Sequence, residues 1–155
     1  MNHAAEKLIA DLGLAPLPRE GGWFRRQDAD GAESLIWFLL AEGDFSALHR
    51  LRAEEQWSFY SGDVVEHVQL DPATGRVTTT LLGVDLSAEA KRECWVPAGV
   101  WQGARLAACA QPRGWALLGC RMRPAWREED FELGGRAELE REFPAHTALV
   151  VALKR

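Results

Sequence analysis

The sequence predicts an all-β sandwich or barrel. Between residues 23 and 133, short runs rich in β-branched and aromatic residues recur, and turn residues cut them at regular intervals. Helical periodicity is confined to the two ends of the chain. Strands of this length and spacing, with no helices between them, suit sheets packed on each other rather than a sheet crossed by helices.

The first element is a short amphipathic helix. Ala5, Leu8, Ile9 and Leu12 fall at i, i+3, i+4 and i+7, Asn2 is the N-cap, and Gly13 with Pro16 stops it. Residues 14–22 hold two prolines and two glycines and read as a loop. Strands are expected at 23–26, 34–40, 46–51, 56–60, 64–70, 77–82, 93–96, 101–106, 115–122 and 130–133. The punctuation between them is Asp30-Gly31, Glu42-Gly43-Asp44, Ser61-Gly62-Asp63, Asp71-Pro72-Ala73-Thr74-Gly75, Pro97-Ala98-Gly99 and Gln111-Pro112-Arg113-Gly114. A last helix runs over 136–143, pairs Leu139 with Phe143 and ends at Pro144.

The 155 residues are 47% apolar and 26% charged, the size and mix of one domain over residues 1–155. Eighteen Lys and Arg against 23 Asp and Glu give a net charge of −5, which disfavours nucleic acid as a partner. The apolar runs 35–41 and 148–153 fall far below the roughly 18 residues of a membrane span. The first residues lack the basic end and apolar stretch of a signal peptide, so a cytoplasmic protein is expected. Cys94, Cys109 and Cys120 are an odd set without CxxC spacing, read as small buried hydrophobes rather than disulfide or zinc ligands. Seven tryptophans are the compositional oddity. Of these, Trp23, Trp37 and Trp95 read as core or interface residues.

The informative stretch is GDFSALHRLRAEEQWSFYSG, residues 43–62, followed by Val96-Pro97-Ala98-Gly99-Val100-Trp101-Gln102. Gly43, His49, Glu55 and Gly62 stand on the spacing of the first motif of the cupin superfamily, which the chain resembles. That motif reads G, five residues, H-x-H, three residues, E, six residues, G. Leu51 occupies its second His position. Pro97 and Gly99 match the second motif, and Gln102 stands at its His. Further segments resemble one small single-domain cupin family of unknown function: Glu20-Gly21-Gly22-Trp23-Phe24-Arg25, Ile36-Trp37-Phe38-Leu39-Leu40, Asp130-Phe131-Glu132-Leu133 and Phe143-Pro144-Ala145-His146. The chain departs from that family at Pro18-Arg19, where His-Pro is common, and at Pro124-Ala125-Trp126, where a Pro-Gly-Phe-like turn is usual. Neither departure is expected to touch the pocket.

The resemblance implies a double-stranded β-helix (jelly-roll) barrel with short terminal helices, assembled as a homodimer. Metal-binding cupins bring the two His and the Glu of the first motif and the His of the second to one ion; here only His49 and Glu55 remain as good ligands. Leu51 has no lone pair and Gln102 offers only an amide oxygen, so no cofactor is expected. Any divalent metal would rest on His49 and Glu55. The resemblance to metal-free sugar-nucleotide epimerases implies His49 as a base and Glu55 as its orienting partner or a substrate contact. Trp57 and Trp101 offer flat faces and Gln102 a two-sided hydrogen-bonding group for a ligand.

The leading expectation is a small-molecule-binding cupin, acting as a carbohydrate epimerase or isomerase. A metal-dependent oxygenase or isomerase and a non-catalytic metabolite-binding protein are the alternatives. His49 and Glu55 also read as a buried pair serving structure alone. Arg25, Arg26, Arg121, Arg123 and Arg127 read as scattered surface charges before an anion site. His67 is expected outside the barrel: a two-residue Gly62-Asp63 hairpin pairs it with Ser58, opposite to Trp57, unless a bulge reverses the parity. His3 and His146 are expected in solvent beside the terminal helices.

Overall fold

A computed structural model describes residues 1–27, 31–84 and 89–155. Asp30, expected in a turn with Gly31, lies outside the described residues. The strands are β1 (Ala15–Pro16), β2 (Trp23–Arg26), β3 (Ser34–Ala41), β4 (Phe45–Leu51), β5 (Glu55–Gly62), β6 (Val65–Leu70), β7 (Val77–Leu82), β8 (Glu93–Val96), β9 (Trp101–Leu106), β10 (Trp115–Met122) and β11 (Phe131–Leu133). The helices are α1 (His3–Leu12), α2 (Arg136–Glu142) and α3 (Thr147–Ala152). One antiparallel sheet has the order β1-β2-β3-β10-β5-β8 and the other β11-β4-β9-β6-β7. Backbone hydrogen bonds from Lys91 to Leu81 and from Gly83 to Lys91 tie the two sheets along the β7 side.

The all-β expectation holds, and each expected strand is present with its ends within a residue or two. The turn residues explain this. At Gly62 φ is +111° and an added Cβ would sit 2.3 Å from the Trp115 carbonyl oxygen, so only glycine lets the chain leave β5 there. α1 begins where Asn2 Oδ1 accepts the Ala5 amide at 3.0 Å and ends at Gly13 in the left-handed region.

Three layers of core follow from strand alternation. Between the sheets lie Phe38, Leu40, Trp57, Phe59, Val65, Ala104, Leu118 and Cys120. Leu39 and Ala41 face the other way and are covered by α1 with Ala5 and Leu14. β3 therefore reads as a continuous apolar run, because both its faces are buried. On the outer face of the second sheet, Leu48, Val68, Leu70 and Trp101 pack under α2 and α3 through Leu139, Phe143, Val150 and Leu153.

One strand and one α-helix of the described residues are absent from the sequence reading. β1 is a two-residue pairing with β2 inside the expected loop. α3 is six residues long, too short for periodicity to reveal, and is held by seating Val150 and Leu153 on the second sheet. The histidine expected outside is a third difference. β5 and β6 do not form a hairpin at all: β5 pairs with β10 and β8, whereas β6 pairs with β7 and β9. The Gly62-Asp63 segment crosses between sheets, so hairpin parity does not apply. Alternation along β6 then turns Val65 and His67 inward and Val68 and Leu70 outward, and His67 is fully buried. His3 and His146 are exposed, as expected. Cys94 and Cys120 are buried but Cys109 is exposed, which corrects the expectation of three buried cysteines.

Candidate functional site

One end of the barrel opens into a cavity of about 250 Å³. Its walls are largely apolar, with Leu17, Phe24, Ile36, Met122, Trp126 and Phe131. His49, Glu55 and Glu20 supply polar groups within, and Arg19 and Glu128 also line it.

His49 comes from β4, where alternation puts it inside with Ala47 and Leu51. Its Nδ1 lies 2.7 Å from the Ala47 carbonyl oxygen, which can only accept, so Nδ1 carries a proton. In the neutral ring Nε2 is then the basic atom. Nε2 lies 3.9 Å from Glu20 Oε1, and the ring stacks on Phe131 at 5.5 Å and 19°. Both contacts hold the imidazole plane.

Glu55 opens β5 and is buried. Its Oε2 accepts from Trp57 Nε1 at 3.1 Å and from Gln102 Nε2 at 2.8 Å. Burial pushes its pKa up to about 7; His49 opposes the rise, Glu20 adds to it, and the two hydrogen bonds oppose it. The Gln102 oxygen accepts from Trp57 Nε1 at 2.8 Å and lies 3.4 Å from His67 Nε2. The His67 ring meets Trp57 edge-on at 4.9 Å, and burial lowers its pKa to about 4. Glu55, Trp57, Gln102 and His67 thus form a buried polar network behind the cavity floor.

His49 and Glu55 share the cavity, whereas the three expected ligand contacts lie elsewhere. Trp57 and Gln102 sit behind Glu55 as its hydrogen-bond partners. Trp101 is next to Gln102 on β9, so the two side chains must point to opposite faces. It is buried under α2 in the outer core with Arg50 4.3 Å over its ring, which corrects its placement as a ligand platform.

Glu20 is the residue that sequence reasoning missed, although it lies in the quoted Glu20-Gly21-Gly22 segment. The tight loop of residues 17–22 is closed by the Leu17 amide on Gly22 O at 2.9 Å and the Gly21 amide on Leu17 O at 3.1 Å. Asp44 holds the Gly22 amide at 2.9 Å, and the Glu20 carbonyl accepts from the Ala47 amide at 2.8 Å. Ser46 Oγ donates to Glu20 Oε1 at 2.7 Å and so aims the carboxylate at His49. Both departures from the family pattern line the cavity: Arg19 and Trp126 stand in its wall, against expectation. Of the expected surface arginines, Arg121 and Arg123 face Glu33 and Arg127 pairs with Asp130, while Arg26 also lines the cavity.

At the superfamily's metal positions the donors are depleted. Leu51 lines the cavity with a hydrocarbon side chain, and both ends of the Gln102 amide are spent inside the network. Among the described residues no three His, Cys, Asp or Glu side chains converge as a metal set. These residues do not fit a resident transition metal.

Two antiparallel sheets closed around an inward-facing His and Glu define a cupin-type barrel. The chain belongs to the family described as Cupin superfamily (DUF985), whose model matches residues 6–134. A crystal structure of a protein from Shewanella oneidensis is similar over 100% of this chain and 99% of that one, with 34% identity and a TM-score of 0.87. A hypothetical protein from Leishmania major is 25% identical over 97% of this chain and 98% of its own, with a TM-score of 0.85. A dTDP sugar isomerase from Desulfovibrio desulfuricans shares the fold, at 20% identity and a TM-score of 0.56 over 79% and 80% of the two chains. None of the curated proteins matches the chain. Among the described residues no helix is long and apolar enough to cross a membrane.

Proposed function

We propose that the barrel binds a small organic molecule and moves a proton on the carbon next to its carbonyl, as a metal-free epimerase or isomerase. The observation that carries this is the state of His49. Nδ1 is tied to a backbone carbonyl, so Nε2 is the acceptor, and it faces a carboxylate that would steady the imidazolium once formed. Glu55 supplies the complementary acid: with a pKa near 7 its carboxyl is substantially protonated at neutral pH. Trp57 and Gln102 occupy Oε2, which leaves Oε1 to carry the proton toward a substrate oxygen. Nε2 takes the proton from carbon while Glu55 gives its own to the carbonyl oxygen, yielding an enol. Return of a proton to carbon, from the His49 imidazolium or from water on the opposite face, and of the enol proton to Glu55 restores a carbonyl compound. No electrons are exchanged, so no redox cofactor enters the balance. A sugar or sugar derivative is one carbonyl compound of this kind.

Solvent deuterium should enter the carbon next to the carbonyl of a turned-over substrate, and His49→Ala should slow that incorporation by about 10²-fold or more. Screening sugars and sugar nucleotides by NMR in D₂O measures it, with untagged protein purified without metal-affinity resin and assayed for bound metals. One transition-metal ion per chain, or exchange undiminished in His49→Ala, overturns the reading.

We also infer a homodimer. β8 is a sheet edge and leaves Trp95 53% exposed, an apolar surface that a second copy would cover. Sedimentation velocity should give a two-chain mass that Trp95→Glu lowers; a monomeric wild type removes the inference.

A further inference from the structure

Arg19 has a backbone that arginine rarely adopts. Its φ is +65°, in the left-handed region that disfavours a residue with a Cβ. The strain belongs to the tight loop that also aims Glu20 at His49, and its effect is to bring a guanidinium to the cavity wall. The Arg19 guanidinium lies 4.5 Å over the Phe131 ring, and His49 stacks on the same ring at 5.5 Å. Guanidinium, phenyl and imidazole thus follow one another from the mouth inward.

Arg19 pairs with Glu128 across the mouth, and both side chains line the cavity. The partners are 47% and 67% exposed, so the pair adds little stability and exchanges readily for another anion. Between this cation and the His49–Glu20–Glu55 floor, the wall is mainly hydrocarbon from Leu17, Phe24, Ile36, Met122 and Trp126, with Arg26, Ser34 and Cys120 also lining the cavity. A cavity of about 150 Å³ takes a benzene ring. The about 250 Å³ here leaves room for a ring or branched chain with a short arm. An anion directed at the floor would meet Glu20 and Glu55, so it must sit at the mouth. Glu128 also lines the cavity there and disfavours a second negative charge.

We propose that the cavity takes a small monocarboxylate with an apolar body, its carboxylate on Arg19 in place of Glu128 and its other end on His49. This assignment rests on the proposed function for what happens at the floor, and on its own geometry for what happens at the mouth. The mouth is testable with non-reacting probes: 3-phenylpropionate, 4-methylpentanoate and the primary amide of each, titrated by ligand-observed NMR and calorimetry.

Each acid should bind about tenfold or more tightly than its amide, the difference a charge-assisted pair contributes. Arg19→Gln should remove that difference. Glu128→Gln, which frees Arg19 from its competitor, should strengthen the acids and leave the amides unchanged. Both variants lie at the exposed rim, and circular dichroism checks their folding. Equal affinity of acid and amide, no binding of either, or acid binding undiminished in Arg19→Gln overturns the assignment. Acids that bind as stated while no carbon-bound proton exchanges would leave the ligand class standing and remove the proton-transfer reading. Exchange on neutral carbonyl compounds, with no preference for acids, would do the reverse.

Discussion

Glu55→Gln should become more stable relative to wild type as pH rises from 4.5 to 7, with a total gain on the order of 3 kcal/mol at about 1.4 per tenfold. The sign follows from the folded-state pKa, which lies above its unfolded value. Wild type gains from the buried neutral acid below 4.5 and loses that gain as pH climbs through about 7. Glutamine keeps an acceptor for Trp57 and Gln102 and has no proton to lose. His67 works in the opposite direction. Its folded pKa is lowered to about 4, so its contribution is full above 6.5 and is lost as pH falls toward 4. The two buried groups of one network thus oppose each other across the same window, and wild type should show a muted slope that Glu55→Gln steepens. Urea denaturation from pH 4.5 to 8 measures both curves. Parallel curves would mean that Glu55 ionises at an ordinary pKa and is no acid for the proposed reaction.

Gln102→Leu should destabilise the protein by about 2 to 3 kcal/mol, because it strands buried partners rather than removing an isolated contact. Glu55 loses a donor at 2.8 Å, Trp57 Nε1 loses its shorter acceptor, and His67 loses its Nε2 neighbour. The lost hydrogen bond favoured the ionised carboxylate, so the Glu55 pKa should move further up in the variant. Urea denaturation at pH 8 gives the stability, and carbon-13 chemical shifts of the labelled carboxyl give the titration. A variant within about half a kcal/mol of wild type would show that Gln102 has no supporting role in the network.

Much of the fold was legible in the amino-acid sequence. Element ends sit where glycine has no alternative, as at Gly62 after β5 and Gly13 after α1, and period-two alternation marks inward residues of β5 such as Trp57 and Phe59. His49 and Glu55 were legible because motif spacing carries them to the same interior. α3 and β1 were not, since six residues and two residues leave no period to read.

The site was half legible, and the division has a physical cause. Local rules act within a strand: they place His49 inside, and applied to the neighbours Trp101 and Gln102 they forbid a shared face. They do not say which strand lies across the barrel. His67 faces Trp57 because β5 and β6 belong to different sheets, and nothing near Gly62 encodes that. Glu20 reaches His49, and Arg19 reaches the cavity mouth, only because a six-residue loop is folded back and held by Asp44 and Ala47. By itself the sequence determined the strands and their inward faces, for those follow from steric preferences of adjacent residues, and the resemblance to the cupin motif marked His49 and Glu55. Tertiary structure decided what faces that pair, because contacts across a closed barrel depend on sheet order and loop closure, which join residues far apart in the chain.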